Sequence, residues 1–363
     1  MRVAFNPLAT RDAYTQEEAQ IVSRELAQLA CTEIRSWPGY EITPLRSLPR
    51  LAQELGIQEL LYKDESRRLG QGSFKSLGGA YAAILKMRES GARPERTTLS
   101  CATDGNHGRS VAYAAQRLGC ACVVFMHEGA PDEKARAIAS LGARVVPVPG
   151  TYDDAVRQAR LSAIEQGWML IPDTSDDAQD PTARRVLQGY GVMVLEILEQ
   201  RAKGAPFTHV LLQGGVGGLA AAVAGVFAQV HGERRPTVIV VEPRAAGCLF
   251  ESALRGVPSV VGGDLITAMA MLSCGEASPV AWPVLKRRAD VFATIDDEAA
   301  IKTTKRLCLP WPVGEGLDVG VSGAAGVAGL LELLRHPEFA AAAGLSSKAC
   351  VLTIGTEEAL RGQ

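Results

Sequence analysis

The sequence predicts an α/β protein of two domains, with parallel sheets flanked by helices. Three observations predict it. Short runs rich in β-branched residues recur along the 363-residue chain, and they are nearly continuously apolar, as strands covered on both faces are. Alanine-rich amphipathic segments of helical length fill the gaps between them. Glycine clusters fall where the apolar runs end, at the turns that join strands to helices in such sheets.

The expected strands, in chain order, are Leu60–Lys63, Thr97–Ser100, Cys122–Phe125, Ala143–Val148, His209–Leu212, Thr237–Val241 and Cys350–Ile354. Helices are expected at Ser110–Leu118, Asp154–Gln166 and Leu219–His231. The pair Asp153-Asp154 reads as negative charge at a helix N-terminus, where the backbone dipole favours it. Trp282 beside Pro283 and Trp311 beside Pro312 read as packing anchors. A chain of this length, 47% hydrophobic, has enough apolar surface for two cores. The smaller domain is expected as an insertion at 87–186, and the larger as 1–86 with 187–363. A cleft between two such domains is where a ligand sits.

Composition excludes several functions. Net charge is −2, and no basic stripe points to nucleic acid. No apolar run approaches the roughly 18 residues of a membrane span, and the N-terminus lacks the apolar core of a signal peptide. The eight cysteines form no C-x-x-C pair, which points to reduced thiols in a cytoplasmic protein and gives no zinc-ligand spacing. Cys101 and Cys274 have no histidine or second cysteine at useful spacing for thiol chemistry.

Three segments carry chemistry. The first is Gly72-Ser73-Phe74-Lys75-Ser76-Leu77-Gly78-Gly79, after the strand at Leu60–Lys63. A lysine in an apolar, glycine-lined pocket loses solvation, so its pKa falls, and a neutral amine can form a Schiff base with a carbonyl. The second is Gln213-Gly214-Gly215-Val216-Gly217-Gly218, between a strand and a helix. Backbone N–H groups there can close on a phosphate at the helix N-terminus, or the glycines serve a tight turn. The third is Cys101-Ala102-Thr103-Asp104-Gly105-Asn106-His107-Gly108, also between strand and helix. Its backbone donors suit a carboxylate, and the Asn106 amide suits a ring hydroxyl. Asp104 is an acid–base candidate or a helix cap. His107 reads first as a structural hydrogen bond, and His127, His209, His231 and His336 share no motif.

Taken in this order along the chain, the three segments resemble the fold-type II family of pyridoxal-phosphate enzymes, the tryptophan synthase β-like group. Within it the chain is similar to the diaminopropionate ammonia-lyases over nearly its whole length. The similarity runs through Trp37-Pro38-Gly39-Tyr40, Lys63-Asp64-Glu65-Ser66, Pro172-Asp173-Thr174, Gln188-Gly189-Tyr190, Val241-Glu242-Pro243 and Cys274-Gly275-Glu276. Asp104 is the discriminating position, since dehydratases and synthases of this fold carry a hydroxyl residue there. An anion at that place pairs with a second ammonium on Cβ of the substrate.

The resemblance implies pyridoxal 5′-phosphate as cofactor. It also implies α,β-elimination of a β-substituted amino acid, 2,3-diaminopropionate to pyruvate and two ammonia. Lys75 would hold the cofactor and then take the α-proton of an L-substrate. Asp104 would take the α-proton of a D-substrate from the opposite face, or protonate the leaving amine. Asp173 would bind the β-ammonium, and Asn106 the ring hydroxyl. Gly214, Gly215, Val216, Gly217 and Gly218 would cradle the phosphate through backbone N–H groups. Thr103, Asp104, Gly105 and His107 would hold the substrate carboxylate. Gly355 falls where the family places a hydroxyl residue at the ring nitrogen, so Thr356 takes that role. The family's Ser-Gly-Glu-Ser-Gly segment reads Ser322-Gly323-Ala324-Ala325-Gly326 here. A homodimer is implied as well. Competing readings are a serine or threonine dehydratase, or a related diamino-acid lyase, of the same fold, and a non-catalytic protein that keeps the pocket for another ligand.

Overall fold

The computed structural model describes residues 1–310 and 312–359, so Trp311 lies outside the described residues. Eleven strands are described: β1 Arg2–Phe5, β2 Leu45–Ser47, β3 Glu59–Asp64, β4 Thr98–Ala102, β5 Ala121–His127, β6 Arg144–Val148, β7 Met169–Leu170, β8 His209–Gln213, β9 Thr237–Pro243, β10 Val291–Ile295 and β11 Cys350–Gly355. They form two sheets, a seven-stranded one in the order β1-β10-β9-β8-β11-β3-β2 and a four-stranded one in the order β6-β5-β4-β7. The smaller sheet is parallel throughout. The larger is parallel in its centre, with β1 and β2 added antiparallel at its two edges.

The apolar runs have their cause in this layering. Successive side chains of a strand point to opposite faces. Leu212, Val240 and Leu352 face one core, while Leu211, Val241 and Val351 face another on the far side of the sheet. A third, smaller core lies under the four-stranded sheet, where Phe125 and Val148 meet Ala155 and Ala159. The pair Asp153-Asp154 opens the helix Tyr152–Gln166, with Thr151 and Asp154 forming a reciprocal cap. Trp282 is buried 6.1 Å from the Phe292 ring.

Four helices position the cleft: α1 Lys75–Ser90, α2 Asn106–Leu118, α3 Pro181–Gln200 and α4 Gly218–His231. The first and third cross in direct backbone contact. A Cβ at Gly189 would stand 2.0 Å from the Leu77 carbonyl oxygen, and one at Gly78 would stand 2.4 Å from the Tyr190 ring. No side chain fits between them, and the crossing brings Tyr190 to the start of α1. Among the described residues no helix is long and apolar enough to cross a membrane.

Below that crossing lies a buried ionic cluster. Arg68 donates to both oxygens of Glu65 and of Glu196, at 2.6 to 2.7 Å. Lys63 reaches Glu196 at 2.8 Å and the Thr43 carbonyl at 2.7 Å. All four side chains are fully buried. Two cations face two anions, and together they tie β3 to α3.

Candidate active site

A cleft of about 840 Å³, open solvent at its mouth included, lies between the two sheets. Such a volume suits a cofactor with a small substrate. Three helix N-termini converge on it: α1 at Lys75, α2 at Asn106 and α4 at Gly218. Each presents unpaired N–H groups and the positive end of a helix dipole. The cleft is therefore built to receive anionic groups.

Lys75 sits at the first of these termini. Its Nζ donates to Asp173 Oδ2 at 2.6 Å, with the Phe74 and Tyr190 rings 5.7 and 6.0 Å away. Burial by itself lowers the Lys75 pKa, as expected from the sequence, but the Asp173 carboxylate outweighs burial and the displacement is upward. The sequence-based expectation of a lowered pKa is thus corrected by a counter-ion 98 residues away. Asp173 responds in kind: burial pushes its carboxyl up, while Lys75 and His107 hold it below its ordinary value. His107 Nε2 is 2.9 Å from the Ile171 carbonyl, and its Nδ1 lies 3.7 Å from Asp173. Burial pushes the His107 imidazole down. That bond is the structural role expected first for His107.

In the loop before α2, Asp104 is displaced upward by burial and partly pulled back by His127, whose Nε2 lies 3.1 Å from its Oδ1. In the same loop, Thr103 Oγ1 accepts the N–H groups of Gly105 at 2.9 Å and Gly108 at 3.0 Å. The Thr103 N–H donates to the Phe125 carbonyl. The backbone donors of Thr103 and Gly105 are therefore engaged. Among the described residues, the free donors at this terminus are the N–H groups of Asp104, Asn106 and His107, and the Thr103 hydroxyl.

The glycine turn needs a parallel correction. The Gly214 N–H donates to the Val241 carbonyl at 2.9 Å, and the Gly217 N–H to the Gly214 carbonyl at 3.2 Å. Neither is available to a phosphate. Gly217 also faces away from the cleft and serves the turn, at φ +103°. The N–H groups of Gly215, Val216, Gly218 and Leu219 have no acceptor among the described residues and are left to receive an anion. Behind it stands Glu242, whose Cγ would lie 2.4 Å from a Cβ at Gly214. Its carboxylate accepts the N–H groups of Leu249 and Phe250, yet burial dominates and the pKa is pushed up to about 8.

Asn106 is oriented from both ends. Lys134 Nζ donates to its Oδ1 at 2.7 Å, and its Nδ2 donates to Glu357 at 2.8 Å. An amide nitrogen carries two N–H groups, so one remains for the cleft. Thr356 lines the cleft, as expected. At Gly355 no side chain fits, since a Cβ there would stand 1.7 Å from Tyr62 Oη. The departure from a hydroxyl residue at that position has this steric cause.

All the expected site residues except Gly217 line one cleft: Lys75, Thr103, Asp104, Gly105, Asn106, His107, Asp173, Gly214, Gly215, Val216, Gly218 and Thr356. Sequence reasoning gave no role to Tyr152, Tyr190, Gln213 or Glu357, which also line it, nor to Lys134 and His127, which touch its lining. For His127 a signal existed. Ala102 of β4 is paired in parallel with Phe125 of β5, and two residues further on, on the same face, come Asp104 and His127.

The fold and the cleft together define a class. Over residues 37–354 the chain matches the family of pyridoxal-phosphate dependent enzymes, and it belongs to that family. It is a two-sheet α/β enzyme of fold-type II, and its cofactor is pyridoxal 5′-phosphate. The chain is 36% identical to diaminopropionate ammonia-lyase of Escherichia coli K12, over 96% of this chain and 92% of that one. It is 38% identical to the diaminopropionate ammonia-lyase of Salmonella typhimurium, over 88% and 86%. A crystal structure of the E. coli enzyme in complex with an aminoacrylate–pyridoxal-phosphate azomethine reaction intermediate superposes with a TM-score of 0.90. It has 34% identity and covers 98% of this chain and 93% of that one.

The residues present fit the cofactor. The four free N–H groups of the glycine turn suit its phosphate, the spare Asn106 donor suits its ring hydroxyl, and Lys75 lines the same cleft at the start of α1.

Proposed function

We propose that this protein is an ammonia-lyase that converts 2,3-diaminopropionate and water to pyruvate and two ammonia. The observation that carries the reading is the placement of two carboxylates, Asp104 and Asp173, around Lys75 in a cleft otherwise built for anions. Such a cleft receives a substrate bearing one carboxylate and an extra cation. A hydroxyl at Cβ would bring no cation to Asp173, whose counter-ion Lys75 is taken up by the cofactor, at the cost of a buried charge.

When bound, the cofactor supplies an electron sink for charge developing at the substrate's Cα. Lys75 is the attachment residue. The N–H groups of Gly215, Val216, Gly218 and Leu219 hold the phosphate, with Gly214 and Gly217 shaping the turn. Asn106 and Thr356 meet the ring. The Thr103 hydroxyl and the N–H groups of Asp104, Asn106 and His107 hold the substrate carboxylate. The β-ammonium of the substrate pairs with Asp173 and so displaces Lys75 from its counter-ion. Without that partner the desolvated amine drops in pKa, which frees it to take the α-proton of an L-substrate. Asp104, which lines the same cleft, takes the α-proton of a D-substrate from the face opposite to Lys75, or hands its proton to the departing nitrogen.

The test is product stoichiometry. Two ammonia per pyruvate are expected from 2,3-diaminopropionate, at a rate at least tenfold above that with serine or threonine. Equal or faster release of 2-oxo acid from serine or threonine would make the protein a dehydratase. The variant Asp104→Asn keeps shape but not charge. Its cofactor loading is expected to stay within a factor of two. Its turnover of the D-isomer should fall by roughly 10²-fold or more, the loss expected on removal of a general base. Unchanged turnover of the D-isomer would take Asp104 out of that role.

The division into a large domain of 1–86 with 187–363 and a small one of 87–186 belongs to the same reading. It is supported by all four strands of the smaller sheet falling between Thr98 and Leu170. A cytoplasmic setting is supported by eight cysteines that stand as free thiols. The homodimer rests on the family resemblance, and sedimentation of the purified protein tests it.

A further inference from the structure

We infer that His127 is a positioning residue for Asp104: its imidazole lies against one carboxylate oxygen, keeps that carboxylate ionised inside the cleft, and leaves the other oxygen to face substrate. The inference rests on the proposed lyase reading for its kinetic consequence, and on geometry alone for the pairing itself. The two residues are reached from neighbouring parallel strands. β5 ends at His127, and the loop after β4 carries Asp104 two residues past the pair Ala102 and Phe125. Strand ends of a parallel sheet are where such constellations are assembled.

The contact has a definite chemical character. His127 Nε2 is 3.1 Å from Asp104 Oδ1, and that oxygen, buried, receives no aligned hydrogen bond among the described residues. The interaction is therefore carried more by charge than by direction. The Asp104 and His127 side chains are only 20% and 23% exposed, and Asp104 lines the cleft. Charged groups acting on Asp104 are His127, Asp173 and Lys75. Burial and Asp173 push its carboxyl toward the neutral acid, while His127 first and Lys75 second oppose them. In the cleft, Lys75 is itself committed to Asp173 and is the residue taken up by the cofactor. His127 is then the cation left to hold Asp104 as a base. The group acting on His127 is Asp104, which raises its pKa against the downward pull of burial.

The signs follow. With His127 charged, Asp104 loses its proton at lower pH. Removing the imidazole moves that event to higher pH, by about one unit or more for an opposite charge at this distance. The kcat/KM profile for D-2,3-diaminopropionate should therefore have its acidic limb moved up by about one unit in His127→Phe. At the original midpoint this amounts to a loss of about fivefold. His127→Gln keeps the size and an N–H but cannot carry charge, and should show the same upward movement. Cofactor absorbance and melting temperature of both variants check that they fold.

A second measurement needs no turnover. Among the five histidines, the imidazole NMR signal assigned by its loss in His127→Gln should titrate above the usual histidine range in the parent protein. It should return toward that range in Asp104→Asn. An unmoved acidic limb in both His127 variants, or a His127 titration indifferent to Asp104→Asn, overturns the inference. If the parent protein releases no pyruvate from either isomer, the lyase reading falls, while the NMR titration still decides whether the pair exists.

Discussion

Replacing Lys75 by alanine is expected to abolish the borohydride-reducible adduct with pyridoxal phosphate and to lower kcat by roughly 10⁴-fold or more. The variant removes both the attachment point and the base, and a base alone contributes up to about 10⁴-fold. The fold should survive. Asp173 loses its closest counter-ion, but His107 Nδ1 remains 3.7 Å from it, and a buried carboxyl can take up a proton in place of a cation. Peptide mapping after reduction reads the outcome directly. The cleft offers one competitor, Lys134, whose Nζ meets Asn106 and lies 3.5 Å from Glu357. Lys63 and Lys86 are turned elsewhere, to Glu196 and to the Leu170 carbonyl. An adduct that persists on Lys134 in the variant would move the chemistry to the mouth of α2 and end the assignment of Lys75.

The second large effect is on stability. Arg68→Ala is expected to cost about 3–5 kcal/mol, the range for breaking a buried ion pair. The guanidinium holds both oxygens of two carboxylates at once. Without it Glu65 and Glu196 face a single ammonium, that of Lys63, which reaches only Glu196. Arg68→Lys should fall between, since one ammonium cannot span two carboxylates in a planar fork. Denaturant unfolding of the two variants measures both losses. A cost under about 1 kcal/mol for Arg68→Ala would mean that water enters the cluster and screens it.

Much of the fold was legible because buried parallel strands write themselves as nearly unbroken apolar runs. Val238 to Val241 and Val351 to Ile354 have no exposed face, and the one polar residue among them, Thr353, is buried with its hydroxyl donating to the Leu61 carbonyl. The edge strands left no such mark. Arg2–Phe5 and Leu45–Ser47 are mostly exposed or half-buried, and their pairing is fixed by partners distant in the chain. β7 is two residues long. In the site, the contiguous motifs were legible, because a strand-to-helix turn brings its own glycines and donors together. Their hydrogen-bond accounts were not. That Gly214 and Gly217 spend their N–H groups inside the turn, or Gly105 its own on Thr103, depends on backbone paths no residue type records. The counter-ion of Lys75, the brace of Lys134 on Asn106 and the contact of His127 with Asp104 all join segments that are separate in the chain, so no contiguous motif writes them.

Glu242, packed against Gly214, gives the proposed phosphate seat a built-in sensitivity to alkali. Below about pH 8 its carboxyl keeps a proton, and the doubly charged ester in front of it meets a neutral wall. Above that pH the wall becomes an anion that repels the ester, and the linkage to a carboxyl ordinarily near 4.5 has by then withdrawn its share of fold stability, lost as pH rises from about 4.5 to about 8. Dialysis at mildly basic pH should therefore strip the coenzyme far faster than at neutrality, and returning to neutrality with added coenzyme should restore the colour.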